Sequence, residues 1–268
     1  MPTNIGIASR RQIDNKRFYK ISEDQIYPSV TTIENIINKP LIGPWMAKME
    51  RDMILDFFIR FLYHTDYELI ADEKVMRKEF ESMIGKKKKA DKELTKAGNI
   101  GTQTHDKIEW YNRKLMGQDV GPEPMVSEPA EWAVMAYQDW AKSVELKPNR
   151  IEMVVYSEKY EYAGTMDLEA WVTIPGIGQK LATIDFKTGK RIYPEAYLQV
   201  AAYREASAEM GFHRTDIAMI VRLPKIESDP EFEAVVVDDL NIHFDGFLHA
   251  LELWKWNQFV DNKHKGEK

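Results

Sequence analysis

The chain has no cysteine. Its 268 residues therefore form no disulfide, build no thiolate zinc site and ligate no iron–sulfur cluster through cysteine. No apolar run approaches the ~18 residues that a membrane-spanning helix needs. The opening stretch MPTNIGIASRRQIDNKRFYK is too polar for a signal peptide. These absences lead us to expect a cytoplasmic protein in a reducing compartment with no membrane partner. Surplus positive charge is missing as well: the formal net charge is −6, which argues against coating nucleic acid through a global positive field. A nucleic-acid enzyme survives that argument, because carboxylates gathered around a metal lower the net charge while local lysines still meet phosphate. Internal repeats and long low-complexity tracts are absent too, and so is the G-x-x-x-x-G-K-[ST] loop, so a fused helicase motor is not expected.

What is present is an ordinary globular composition, 44% hydrophobic and 30% charged, enough for a substantial core. Residues 1–27 read as an irregular or short-strand lead-in. In PSVTTIENIINK, Thr31 followed by Glu34 has capping-box spacing ahead of a helix. Apolar residues at helical spacing follow Pro44, and Trp45, Met46, Met49, Met53, Phe57 and Phe61 are expected to form a helical subdomain core. A charged helix ends near Gly85, the run from Lys86 onward reads as a basic linker, and a further helix covers 100–116 until Gly117 stops it. Beyond a Gly/Pro loop and another amphipathic helix, the pattern changes near residue 150 to period two. Strands, a helix started by Pro194, more strands and a closing helix then follow. The order predicts an α/β fold with a mixed central sheet flanked by helices. We expect residues 1–95 to hold the lead-in and an N-terminal helical subdomain, and 96–268 the core with its C-terminal helix.

The chemistry concentrates in LATIDFKTGK, residues 181–190. Side chains alternate across a strand, so Ala182, Ile184 and Phe186 share one face and Asp185 and Lys187 the other. In the preceding strand Met166, Leu168, Ala170 and Val172 form the apolar side, opposite Asp167, Glu169, Trp171 and Thr173. With a turn near Ile177, Asp167 is expected opposite Lys187 and diagonal to Asp185. Two aspartates brought together repel unless a cation lies between them. Mg²⁺ or Mn²⁺ suits such oxygen ligands, and an adjacent lysine can orient or deprotonate water or balance charge on a phosphate. A solvated ion pair on an exposed sheet face is the plainer alternative. Glu152, in the strand RIEMVVYS, is either an edge residue or a further member of the acidic cluster. Gly164 permits a close backbone approach. Gln199 and Tyr203 fall four apart on one helical face, as do Gly101 and His105.

Taken in order, GTQTH, the strand bearing Glu152, GTMD, DFKTGK and QVAAY resemble the motifs of the PD-(D/E)XK nuclease superfamily, in its RecB-like exonuclease branch. They span residues 101 to 203. The segment YPSVTTIENIINKPLIGPWMAK is similar to the N-terminal part of phage-encoded and mitochondrial genome maintenance exonucleases of that branch. The resemblance implies a restriction-endonuclease-like core and a metal-dependent DNA exonuclease acting on single strands or duplex ends. An endonuclease using the same site, or a catalytically silent DNA-binding or assembly protein, are the alternatives. It implies His105, Asp167, Asp185, Glu152 and the backbone carbonyl of Phe186 as metal ligands, Lys187 as the residue that positions or activates water, and Gln199 and Tyr203 as its orienting pair. Thr188, Gly189, Lys190 and Arg191 would meet phosphate. The run Lys86, Lys87, Lys88 and Lys89 fits a phosphate-contacting loop or a solvated linker. Some relatives clamp their ends with an iron–sulfur cluster; without cysteine that cluster is not expected here. The implied setting is a phage or mobile element, with recombination or replication proteins as partners.

Overall fold

The computed structural model describes residues 8–13, 16–37, 39–64, 73–84, 89–226, 228–229 and 231–266. Lys86, Lys87 and Lys88 lie outside them. The lead-in forms a three-stranded antiparallel sheet of β1 (Ser9–Ile13), β2 (Lys16–Lys20) and β3 (Ile26–Pro28). Helix α1 (Val30–Glu34) follows directly. Its N-cap is Ser29, whose hydroxyl accepts from the Thr32 N–H at 3.0 Å, so the expected cap at Thr31 lies instead within the helix. Thr32 Oγ1 donates to the Arg17 carbonyl at 2.9 Å and accepts from the Arg17 N–H at 3.0 Å, locking α1 onto β2.

Helices α2 (Ile42–His64) and α3 (Glu73–Ile84) pack on one another, with Phe57 and Phe80 edge to face at 5.0 Å. Helix α4 (Lys89–Leu115) begins in the stretch read as a linker. The correction has a local cause: the Ala90 N–H donates to Glu50 at 3.3 Å, and Lys89 pairs with Asp56 at 3.7 Å, which satisfies and anchors the new helix end. The chain divides into two units, 38–100 on one hand and residues up to 37 with those from 101 onward on the other. The lead-in and α1 thus belong with the α/β unit, whereas the sequence reading grouped them with the helices of 1–95. Within 38–100 Phe57 is buried, while Trp45, Met46, Met49 and Met53 are half-buried. The Phe61 side chain lies outside the described set.

Helix α5 (Glu128–Ser143) leads into the main sheet of β4 (Lys147–Ser157), β5 (Tyr162–Ile174), β6 (Gly178–Lys187), β7 (Ile217–Arg222) and β8 (Glu233–Val236). These lie side by side in chain order, with β6 and β7 parallel and the other pairs antiparallel. Helix α6 (Pro194–Glu209) makes the crossover from β6 to β7, and α7 (Leu240–Gly266) closes the chain. The five-stranded mixed sheet flanked by helices matches the architecture expected from periodicity. One face buries Leu168, Ala170, Val172, Ala182, Ile184 and Phe186 with Ile108 of α4 and Val134, Tyr137 and Trp140 of α5. A second cluster joins Val155, Tyr162 and Met166 to Val30 and Ile33 of α1, Ala202 and Tyr203 of α6 and Phe247 of α7.

Two details of the sheet differ from the sequence reading and bear on the site. Ile174 pairs with Gly178, and Gly176 and Gly178 have φ of 76° and 89°, so the turn centres on Gly176 rather than Ile177. The last registered pair is Leu168 with Ile184; one step further sets Asp167 opposite Asp185, not Lys187. Met166 also parts from Leu168, Ala170 and Val172 and joins the second cluster. That change of side coincides with an irregularity in β4, where Glu152 takes a φ of 46° between the paired residues Ile151 and Met153.

Candidate metal centre and catalytic cluster

Asp167 ends the run of β5 shared with β6, where its Oδ2 accepts from the Phe186 N–H at 2.8 Å. Helix α4 brings His105 to the same carboxylate, with Nδ1 at 3.5 Å from Oδ2. The kink in β4 turns Glu152 toward them. His105, Glu152 and Asp167 each offer a ligand atom, and these atoms lie within 4.8 Å of one another. Glutamate in the left-handed region costs on the order of 1–3 kcal/mol, a strain that persists where surrounding structure holds it. Glu152 thus lies on the edge strand of the sheet, and its side chain is a cluster member as well.

Asp185 is fully buried on β6. Lys187 Nζ stands 2.7 Å from its Oδ2 as an ion pair, and Oδ1 has no hydrogen-bond partner among the described residues. Lys187 also donates to Gln199 Oε1 at 2.6 Å, and Gln199 Nε2 donates to the Tyr203 hydroxyl at 2.8 Å. The spacing of four residues on α6 therefore builds a relay of contacts that ends on the lysine. Gly164 makes room for it: a Cβ there would sit 2.3 Å from Tyr203 Cε1. Gly101 of α4 faces Thr188, whose Oγ1 would make an ordinary 3.4 Å contact with an added Cβ, so no close approach depends on that glycine.

The charges in the cluster are mutually dependent. Burial pushes the Glu152 carboxyl up to about 8, reinforced by Asp167 and opposed by His105. Burial also raises Asp185 to about 6, with Lys187 pulling the other way and Asp167 adding to the rise. For His105 burial acts to lower the imidazole, but Asp167, Glu152 and Asp185 outweigh it and hold it at about 9. Asp167 resists its own burial because His105 and Lys187 favour its ionised form, and its pKa falls. Burial lowers the Lys187 ammonium less than Asp185 and Asp167 raise it, so its pKa is above the usual lysine value. Lys187 is therefore a cation here, suited to hydrogen bonding and charge balance rather than to proton abstraction.

One buried acid escaped the sequence reading. Glu34 is 5% exposed on α1, and its charge is felt by both Lys187 and Tyr203. Its signal was present in the helical period: Val30, Ile33, Glu34 and Ile37 share one face, and an acid in an otherwise apolar stripe needs a partner. Glu169, placed beside Asp167 by alternation, is instead fully buried against Asn149 and Arg150 of β4 and stays out of the cluster. Of the expected phosphate contacts, Thr188 is half-buried near α4, Lys190 is exposed, and the exposed Arg191 lies 4.8 Å over the Tyr193 ring. Lys89 is committed to Asp56. No helix among the described residues is long and apolar enough to cross a membrane. No protein-family model matches the chain and no curated protein matches its sequence.

Proposed function

We propose that the protein is a divalent-metal-dependent DNA exonuclease of the PD-(D/E)XK superfamily, RecB-like branch, with a restriction-endonuclease-like core and residues 38–100 as its helical subdomain. One observation carries the reading: a fully buried Asp185 that shares one oxygen with an ammonium at 2.7 Å, while its other oxygen, Oδ1, has no partner among the described residues, beside the half-buried His105–Glu152–Asp167 group. A buried carboxylate left so is costly, and a hard cation is the partner its chemistry asks for. The donors would fit that cation: the imidazole of His105 with oxygens of Glu152 and Asp167, which lie within 4.8 Å of one another, and, outside that group on β6, an oxygen of Asp185 and the Phe186 carbonyl as further ligands. Bound there, Mg²⁺ or Mn²⁺ supplies Lewis-acid polarisation of a phosphoryl oxygen.

The chain's own residues do the rest. Lys187, held by Gln199 and Tyr203, presents an ammonium to a phosphate oxygen and to the attacking water. Lys187 is half-buried, which weakens the screening of that charge by water. Asp167, anchored by the Phe186 N–H, holds its position without help from a ligand. A partner with a free DNA end suits this assignment, and a cytoplasmic setting goes with it.

The test is degradation of end-labelled linear DNA and circular single-stranded DNA with Mn²⁺, Mg²⁺ or EDTA. We expect linear DNA to be degraded with either metal, circular DNA to survive, and EDTA to stop the reaction. Asp185→Asn and Lys187→Ala should each lower the rate about a hundredfold or more with circular dichroism unchanged. Cleavage of the circle would make the enzyme an endonuclease, and full activity in both variants would remove the site.

A further inference from the structure

A cavity of about 530 Å³ opens between the β1–β2 hairpin and α1, at the size of small-ligand sites. Arg10, Arg11, Lys16 and Arg17 line one wall, and Thr31 and Asn35 of α1 the other. Among the described residues no ion pair engages any of the four cations. Glu23, which feels Arg11, is itself paired with Lys20 at 2.8 Å. In a chain of net charge −6, four cations lining one space with no ion-pair partner among the described residues make a local positive focus. Guanidinium groups suit phosphate oxygens in particular, through paired hydrogen bonds.

The wall is rigid. Thr32 fastens α1 to the Arg17 backbone at 2.9 and 3.0 Å, and the Ser29 N–H donates to the same Arg17 carbonyl at 3.0 Å. The same helix turns its other side to the catalytic cluster: Glu34 is buried, and Val30 and Ile33 pack in the cluster that holds Tyr203. A helix is ~10 Å across, so cavity and cluster are separated by a few nucleotides of strand. We propose that this cavity binds phosphate groups of the DNA strand whose scissile bond lies at Asp185 and Lys187, an inference that rests on the nuclease reading for its substrate. The phosphate contacts thus come from the hairpin of the lead-in.

The experiment is fluorescence anisotropy of labelled single-stranded DNA with the full chain in EDTA, where the nuclease reading expects no cleavage, across 50 to 200 mM salt. Arg10→Gln/Arg11→Gln/Lys16→Gln alters exposed side chains and should fold normally. It is expected to weaken binding about tenfold or more and to reduce the slope of log K against log salt by about 2, near 0.7 per lost phosphate contact. Lys142→Gln/Lys147→Gln, exposed cations elsewhere on this unit, should leave the slope unchanged. Oligonucleotides with a 5′-phosphate or a 5′-hydroxyl separate the two sources: a loss confined to the phosphorylated strand assigns the cavity to a terminal phosphate, and an equal loss assigns it to the backbone. An unchanged slope in the triple variant, or an equal drop in the control, overturns the proposal even if linear DNA is degraded. A reduced slope in a protein that degrades no DNA leaves the cavity assignment standing and removes the nuclease reading.

Discussion

Asp185, Glu152 and His105 all bind a proton more tightly in the fold than in the unfolded chain, and that common sign gives the site a measurable signature. Glu152 moves from 4.5 to about 8, Asp185 from 3.8 to about 6 and His105 from 6.5 to about 9. Each raised group contributes stability that is fully present below its unfolded pKa and is lost as pH rises through its folded value. Asp167 has the opposite sign, but its contribution is lost only in acid below 3.8, outside this window. The metal-free protein should therefore lose stability between about pH 5 and about pH 9, with a melting temperature lower by on the order of 5 °C at the alkaline end. Divalent metal competes for the deprotonated carboxylates and the neutral imidazole, so the stabilisation by Mn²⁺ should grow over the same range. Thermal melts in EDTA and in Mn²⁺ at a series of pH values check both halves. A flat metal-free profile with no gain from Mn²⁺ would mean that these acids do not share a site.

The contact of β5 with α6 is the tightest constraint at the level of elements. Tyr203 is 3% exposed and held through Gln199 to Lys187, so it cannot swing away from a side chain at position 164. Gly164→Ala is expected to cost about 1–3 kcal/mol in denaturant unfolding and, on the proposed nuclease function, to slow DNA cleavage about tenfold or more as Lys187 loses its support. In a Tyr203→Leu background the same alanine should cost little, a coupling of about 1–3 kcal/mol; additive costs would show that the ring is not what the glycine accommodates. Position 164 was legible in advance, because a glycine inside a strand marks a close approach. So were the strands themselves and the face shared by Asp185 and Lys187, which rest on a period of two that tertiary context did not override. The register was not. Parity survives a shift by two residues, so hydrophobic alternation kept Asp167 on the correct side while the turn glycines decided which residue it opposes. Glu152 shows a second limit: a φ of 46° in mid-strand has no compositional sign, and only the neighbouring packing reveals it. Local capping at Ser29 rather than Thr31 was decided by the bridge from Thr32 to Arg17, a contact fifteen residues distant.

Across the whole molecule, burial is distributed unevenly between the two units. The central strands bury Leu168, Ala170, Val172, Ala182 and Ile184 almost completely, all at 0–1% exposure. In 38–100 the buried residues among the described side chains are Phe57 and Ala90, while Leu55, Ile59 and Tyr63 are 52%, 54% and 81% exposed. Amides open locally where few apolar contacts oppose it, so hydrogen exchange should be fastest in α2 and α3 and slowest in β5 to β7. Helix α4 separates this cause from helix propensity, because it is one continuous element with two environments. Residues 91–99 are exposed, whereas beyond Gly101 the helix buries Thr104, Ile108 and Asn112. Asn112 donates to the Ile108 carbonyl at 2.9 Å and accepts from the Tyr137 hydroxyl at 2.6 Å, which ties that half to α5. Isolated helical turns are marginal in water, and packing supplies most of their stability. Protection should therefore rise along α4, with amides near Ile108 exchanging about a hundredfold more slowly than those near Glu93. Such a gradient would mean that His105 sits on the rigid half, fixed toward Asp167 before any ligand arrives. Uniform exchange along the helix would instead make the approach of His105 depend on the helix as a whole, and its distance from Asp167 would then vary with the opening of α4.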